Sequence, residues 1–82
     1  MTTSDEVAKN PFRVYSSATL GSAIRHYRKA AGLTQEELAA RTGMNRYYLN
    51  SLENGRETEH VKRLLTVFRE LEVRMTLDKA DW

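Results

Sequence analysis

The stretch GLTQEELAARTGMNRYYLNSLENG, residues 32 to 55, decides the fold. Its TQEE run, residues 34 to 37, has the form of a capping box, in which the Thr34 hydroxyl accepts from the backbone N–H of residue 37 and the Glu37 carboxylate reaches back to the N–H of residue 34. The spacing predicts a helix starting there, and a short one, because only Leu38 and Ala39 supply an inward face before Gly43 ends it. Asn45 is a good N-cap for the next helix, predicted to run to Asn54 and to stop at Gly55.

On a wheel of about 100 degrees per residue, Leu49 and Leu52 point one way, while Tyr47 and Ser51 point the other, flanked by Arg46 and Asn50. Tyr48 falls on the boundary and reads as a half-buried packing residue with one apolar and one wet end. Tyr47 points away from the core, so packing explains it poorly. Glu53 faces inward or sideways and is expected to partner an arginine.

Outward from this stretch, Ser16 or Ser17 offers an N-cap, and Leu20, Ile24, Tyr27 and Ala31 recur at helical spacing until Gly32. Arg25, Arg28 and Lys29 near the end of that helix suit either the helix dipole or a phosphate, since both need the same residues. On the other side, Thr58 caps a helix whose Val61, Leu64, Leu65, Phe68 and Leu71 form an expected buried stripe. The period then changes: Leu71, Val73, Met75 and Leu77 alternate with polar residues, as in a half-buried strand. A lone strand leaves its backbone groups unpaired. It must pair with the segment around Phe12 to Tyr15 or with its own copy in a second subunit, and the second is favoured because a two-fold ribbon also enlarges a small core. The expected organisation is a mobile arm at 1–15, a helical domain at 16–71, a dimerisation strand at 72–78 and a tail at 79–82.

Composition narrows the function classes. The 82 residues have room for one domain, and with no cysteine neither a disulfide nor a thiolate metal site can stabilise it. His26 and His60 lie far apart without ligand-like neighbours, so no metal or other cofactor is expected. Neither a secretion signal nor an apolar run of membrane-spanning length is evident, which points to a soluble, cytoplasmic protein with no membrane partner. Between Ser16 and Arg56 six basic side chains stand against three acidic ones, whereas from Glu57 onward five stand against six, so the middle of the chain is the part suited to an anion. There is no nucleophile with a matched base and no phosphate-cradling glycine loop, which argues against an enzyme.

Two short helices joined by a tight turn are the helix-turn-helix, whose second helix enters the DNA major groove. The LTQEELA start, Gly43 at the turn, Met44, the inward Leu49 and Leu52, and the LENG ending resemble the phage-repressor-like (Xre) regulators, and the likeness covers about residues 17 to 71. The resemblance implies an all-α, compact bundle of four to five helices, with the short C-terminal strand pairing across a dimer that reads an inverted-repeat operator. It implies DNA contacts from Thr34 and Gln35 at the start of the second helix, and from Asn45, Arg46, Tyr47, Asn50 and Ser51 with Tyr48 at the edge. Asn54 and Arg56 fall at positions that hold phosphate. Relatives usually carry small or amide residues at positions 47 and 48, so their base preferences do not transfer.

The final helix followed by LEVRMTLDKADW is also similar to the end of HipB-like antitoxins. That likeness implies dimerisation through Leu71, Val73, Met75 and Leu77, autoregulation of an operon, and a HipA-like kinase toxin as partner. The alternative is a free-standing repressor without a toxin. Trp82 is either a frayed end or an anchor for a partner's pocket.

Overall fold

The computed structural model describes residues 12 to 80. In chain order the elements are β1 (Phe12–Val14), α1 (Ser17–Ala30), α2 (Gln35–Thr42), α3 (Arg46–Glu53), α4 (Glu59–Glu70) and β2 (Met75–Leu77). The architecture is the expected compact helical bundle, with four helices and a two-stranded sheet.

Local chemistry sets each helix start. Thr34 Oγ1 accepts from the Glu37 N–H at 3.0 Å, and Glu37 Oε1 accepts from the Thr34 N–H at 2.8 Å, which completes the predicted capping box. The hydrogen bond from the Thr34 backbone N–H, with a smaller contribution from the nearby Thr34 hydroxyl, holds the Glu37 carboxyl below its ordinary pKa. Ser16 forms a second box with Thr19, Asn45 Oδ1 accepts from the Tyr47 N–H at 2.7 Å, and Thr58 caps α4 through the Val61 N–H. Helices α1 and α3 both end in Schellman turns. In α1 the Leu33 N–H bonds to Arg28 O and the Gly32 N–H to Lys29 O; in α3 the Arg56 N–H bonds to Ser51 O and the Gly55 N–H to Leu52 O.

The core gathers Val14, Ala23, Ala39, Leu49 and Leu65. Helices α1 and α3 approach closely where Gly21 lies buried against the carbonyls of Leu52 and Glu53. A Cβ at position 21 would overlap both carbonyl oxygens, so the two helices pack at this distance only over glycine.

The sheet departs from the favoured expectation. β2 pairs antiparallel with β1 of the same chain, in the register Phe12↔Leu77, Arg13↔Thr76 and Val14↔Met75. The expected strand also shrinks: Leu71 is the C-cap of α4 and Val73 lies in the turn that follows. The physical reason lies in contacts made across the chain, through which α1 holds β1 beside β2. Phe12 packs on His26 and Tyr27, with ring centroids 5.0 and 5.9 Å away, and the Tyr27 hydroxyl donates to Leu77 O at 3.0 Å. Residues 12–14 therefore belong to the sheet and not to an arm. The rest of the expected arm, residues 1–11, and Trp82 lie outside the described residues.

The α4 stripe is the second correction. Leu65 is buried and Val61 and Phe68 are half-buried, but Leu64 and Leu71 are exposed. The apolar arc of this helix is wider than the contact it makes, so part of it faces solvent. No helix among the described residues is long and apolar enough to cross a membrane.

Candidate nucleic-acid interface

Helices α2 and α3, joined through Gly43 in the left-handed region (φ 68°), form the helix-turn-helix. Leu49 anchors α3 from below and is 2% exposed, whereas Tyr47 on the opposite face is 77% exposed. Arg46 and Asn50 are also exposed, and Ser51 is half-buried. The wheel reading therefore holds for Leu49 and Tyr47, whereas Ser51 is more covered than expected and Tyr48, expected to be half-buried, is 49% exposed. Tyr48 stands beside Ser51 and Leu52 over a shallow cleft that also reaches Arg56.

A charged junction beneath α3 fixes its orientation. Glu53 is buried, and both of its carboxylate oxygens are taken: the Arg28 Nε donates to Oε2 at 2.6 Å and the Arg28 Nη2 to Oε1 at 2.9 Å. This fork ties the end of α3 to the last turn of α1. The remaining Arg28 Nη1 donates to Leu33 O at 2.8 Å. Gln35 completes the junction from α2, its amide nitrogen donating to Glu53 Oε1 at 3.0 Å and to Asn50 Oδ1 at 3.2 Å. The hydrogen-bonded Arg28 guanidinium holds the Glu53 carboxyl below its ordinary pKa, against the opposing effect of burial, and Gln35 adds to the lowering. The same hydrogen bond raises Arg28.

This arrangement decides the choice for one of the three basic residues at the end of α1. Arg28 is not free to meet a phosphate, because its fork is spent on Glu53 and its remaining nitrogen on Leu33 O. Arg25 lies half-exposed with its Nε 3.6 Å from Glu53 Oε1, and its Nη2 donates to Asn54 Oδ1 at 3.1 Å. The expectation that Glu53 partners an arginine holds; that Gln35 would be drawn into the same junction was not foreseen. A buried carboxylate on the inward face of a helix is the signal that calls for such donors.

The polar residues around α3 are thus oriented by what they already hold. Asn50, Asn54 and Asn45 each have their side-chain oxygen engaged, by Gln35, by Arg25 and by the N-terminus of α3. Each amide then has its NH2 available as a donor. Gln35 is the converse: its NH2 is used inside the protein, so its side chain offers an acceptor. Thr34 spends its hydroxyl on the cap. Arg46 and Arg56 are exposed, and among the described residues neither pairs with a carboxylate.

Comparison with known proteins agrees with this geometry. The family model described as a helix-turn-helix domain matches residues 19–73. An uncharacterized HTH-type transcriptional regulator, y4dJ, from Sinorhizobium fredii is 48% identical over 42 residues, covering 51% of this chain and 54% of the relative. A second uncharacterized HTH-type transcriptional regulator, from Methanothermobacter thermautotrophicus, is 58% identical over 33 residues, covering 40% of this chain and 48% of the relative. The chain thus spans about half the length of these two curated relatives. Antitoxin HipB from Escherichia coli is 29% identical over 68 residues, covering 83% of this chain and 72% of the relative. No solved structure matches. The chain belongs to the helix-turn-helix domain family, with transcriptional regulators among its relatives.

Proposed function

We propose that this chain is a sequence-specific transcriptional repressor that binds an inverted-repeat operator as a homodimer, inserting the outer face of α3 into the major groove. The observation that carries the reading is the exposed face of Arg46, Tyr47 and Asn50, held in place by the buried Arg28–Glu53–Gln35 junction. A base-reading helix needs both an open polar face and a fixed orientation. Asn50, with its oxygen engaged by Gln35, presents its NH2 to an acceptor such as a purine N7. Arg46 suits the acceptor edge of guanine, with Asn45, Tyr47 and Ser51 beside it and Tyr48 at the margin. Asn54, its oxygen held by Arg25, turns its NH2 outward and joins Arg56 in gripping phosphate. Thr34 and Gln35 approach the backbone or a base edge at the start of α2.

The finer reading is that of an antitoxin acting in the cytoplasm on the nucleoid, autoregulating its operon and binding a HipA-like kinase toxin. Its support is the similarity to antitoxin HipB, which extends over most of this chain. Trp82 would anchor in the toxin in that case. Co-purification with a kinase-like neighbour, lost on deleting Trp82, is the expected result; a protein that purifies alone beside no such neighbour returns the chain to the class of free-standing regulators.

Selection of bound sequences from a random DNA pool tests the central claim, and an inverted repeat is the expected product. Arg46→Ala should then cost on the order of 1 to 3 kcal/mol on the selected site and relax preference at one base pair. Equal losses on selected and random DNA would remove Arg46 from the base-reading set.

A further inference from the structure

Helix α4 turns an apolar strip toward solvent. Leu64, Val67 and Leu71 are 49%, 50% and 65% exposed, and Val73 just beyond the helix is 49% exposed. His60, Leu64, Val67 and Leu71 recur at steps of four, three and four residues, the alternation that makes the seam between paired helices. On the wheel these four share an arc of roughly 60 degrees, turned away from the Leu65 side that meets the core. The surface groove along them, lined by His60, Val61, Arg63, Leu64 and Val67, is almost wholly apolar. A contiguous apolar strip of this kind marks a contact surface.

Charge on the rim selects the occupant. The edge of the strip away from the core carries Arg63, whose Nε also donates to Glu59 Oε2 one turn back at 3.1 Å in a solvent-exposed pair, and, two turns on, Glu70, both exposed. In an antiparallel pair of identical helices each edge meets the same edge of its partner in reverse order. Arg63 would then face Glu70 of the partner subunit, and Glu70 the partner's Arg63. In a parallel pair the same edge would meet the core side of the partner's helix, where the rest of the domain stands. The strip is thus complementary to itself in one orientation, as an isologous interface requires.

We infer that a second copy of this chain covers α4, forming an antiparallel helix pair about a two-fold axis near Val67, with Leu64 and Leu71 interleaved and two Arg63–Glu70 ion pairs at the rim. This rests on the homodimer reading above and assigns the main contact to α4 instead of β2, one edge of which is already paired within the chain. Leu71 and Val73, expected on the dimer surface from the strand reading, stay on it through this helix and the turn after it.

The chain has no cysteine, so a single introduced thiol reports position without background. Val67→Cys in the full-length protein should give a disulfide-linked dimer under mild oxidation, while Lys62→Cys, on the opposite side of the helix, should not. Sedimentation equilibrium should find a dimer for the native protein and a monomer for Leu64→Asp, with helical content unchanged by circular dichroism because position 64 is half-exposed. Arg63→Glu and Glu70→Arg should each weaken association by about tenfold, and combining them should restore it. The inference is overturned if the native protein stays monomeric at every concentration, if cross-linking at 67 is no better than at 62, or if Leu64→Asp remains dimeric. Loss of the dimer on Thr76→Pro but not on Leu64→Asp would move the interface to the strand. A protein that cross-links through position 67 yet binds no DNA sinks the repressor reading and leaves this interface standing.

Discussion

The junction beneath α3 and the outer face of α4 are built on opposite terms. At the junction a carboxylate has been taken out of water and each of its oxygens is met by a donor from another helix. On α4 large apolar side chains remain in water although a full apolar arc is present. Burying a charge is costly unless it is paired, so the junction holds α3 in one geometry. Leaving a strip exposed forgoes the burial that would have stabilised the domain. One region completes itself; the other stays open in the single chain and is the face inferred above to meet a second copy.

Breaking the junction should have the largest effect. Glu53→Ala leaves the Arg28 guanidinium nearly buried without its counter-charge, which should cost on the order of 3 kcal/mol or more in chemical denaturation. Glu53→Gln should be almost as harmful, since it keeps the shape but not the charge. Replacing Arg28 and Glu53 together with methionine should recover most of the loss, and a failure to recover would mean that shape and not charge sets the cost. The pH dependence follows from the sign of the shift. Glu53 is held below the ordinary carboxylate pKa of about 4.3, so the folded state binds fewer protons there than the unfolded chain does. Its contribution is full above roughly pH 5 and is lost as pH falls through the depressed value. Native protein should therefore lose stability in that acid window, and Glu53→Gln should show a flatter acid limb.

The contrast on α4 is sharpest between two neighbours. Leu65→Ala removes a buried side chain and should cost about 2 to 3 kcal/mol, whereas Leu64→Ala, beside it but half-exposed, should cost less than about 1 kcal/mol in the monomer. Urea titration at dilute protein measures both. A similar cost at the two positions would mean that the strip is already buried in the monomer.

Gly21 belongs with the junction, because it lets α1 and α3 come close enough for Arg28 to reach Glu53. Gly21→Ala should destabilise by about 1 to 2 kcal/mol, the overlap with the Leu52 carbonyl exceeding the helix-propensity gain of roughly 1 kcal/mol. A stabilised variant would show that the helices separate without penalty.

Much of this was legible in the sequence because it is written in short-range chemistry. Thr34 and Glu37 are three residues apart, and their capping box, the Asn45 cap and the Gly43 turn follow from local rules. The outward placement of Tyr47 follows from the helical period alone. What escaped depends on contacts across the chain. Gln35 meets Glu53 across 18 residues, and Tyr27 meets Leu77 across 50, distances over which spacing carries no signal. Gly21 had a local clue, a glycine inside a helix at a cost in propensity, but only the approach of α3 gives it a reason. The pairing of β2 with β1 is hard to read from the sequence because β1 is three residues long and has little periodicity to display.

The smallest effect tests whether the α4 end carries strain that the α1 and α3 ends do not. All three share the same Schellman bonds; in α4 the Val73 N–H bonds to Phe68 O and the Glu72 N–H to Arg69 O. The residue in the left-handed region is glycine after α1 and α3 but Glu72 after α4, at φ 58°. A non-glycine residue there costs roughly 1 kcal/mol through its Cβ. Glu72→Gly should accordingly raise monomer stability by a few tenths to about 1 kcal/mol, the gain being reduced by the greater freedom of glycine in the unfolded chain. Glu72→Asn, which tolerates the same region with less unfolded freedom, should do at least as well. If both variants are destabilised, the Glu72 side chain must contribute more at this turn than its backbone geometry costs, and the α4 end would be as well fitted to its sequence as the other two.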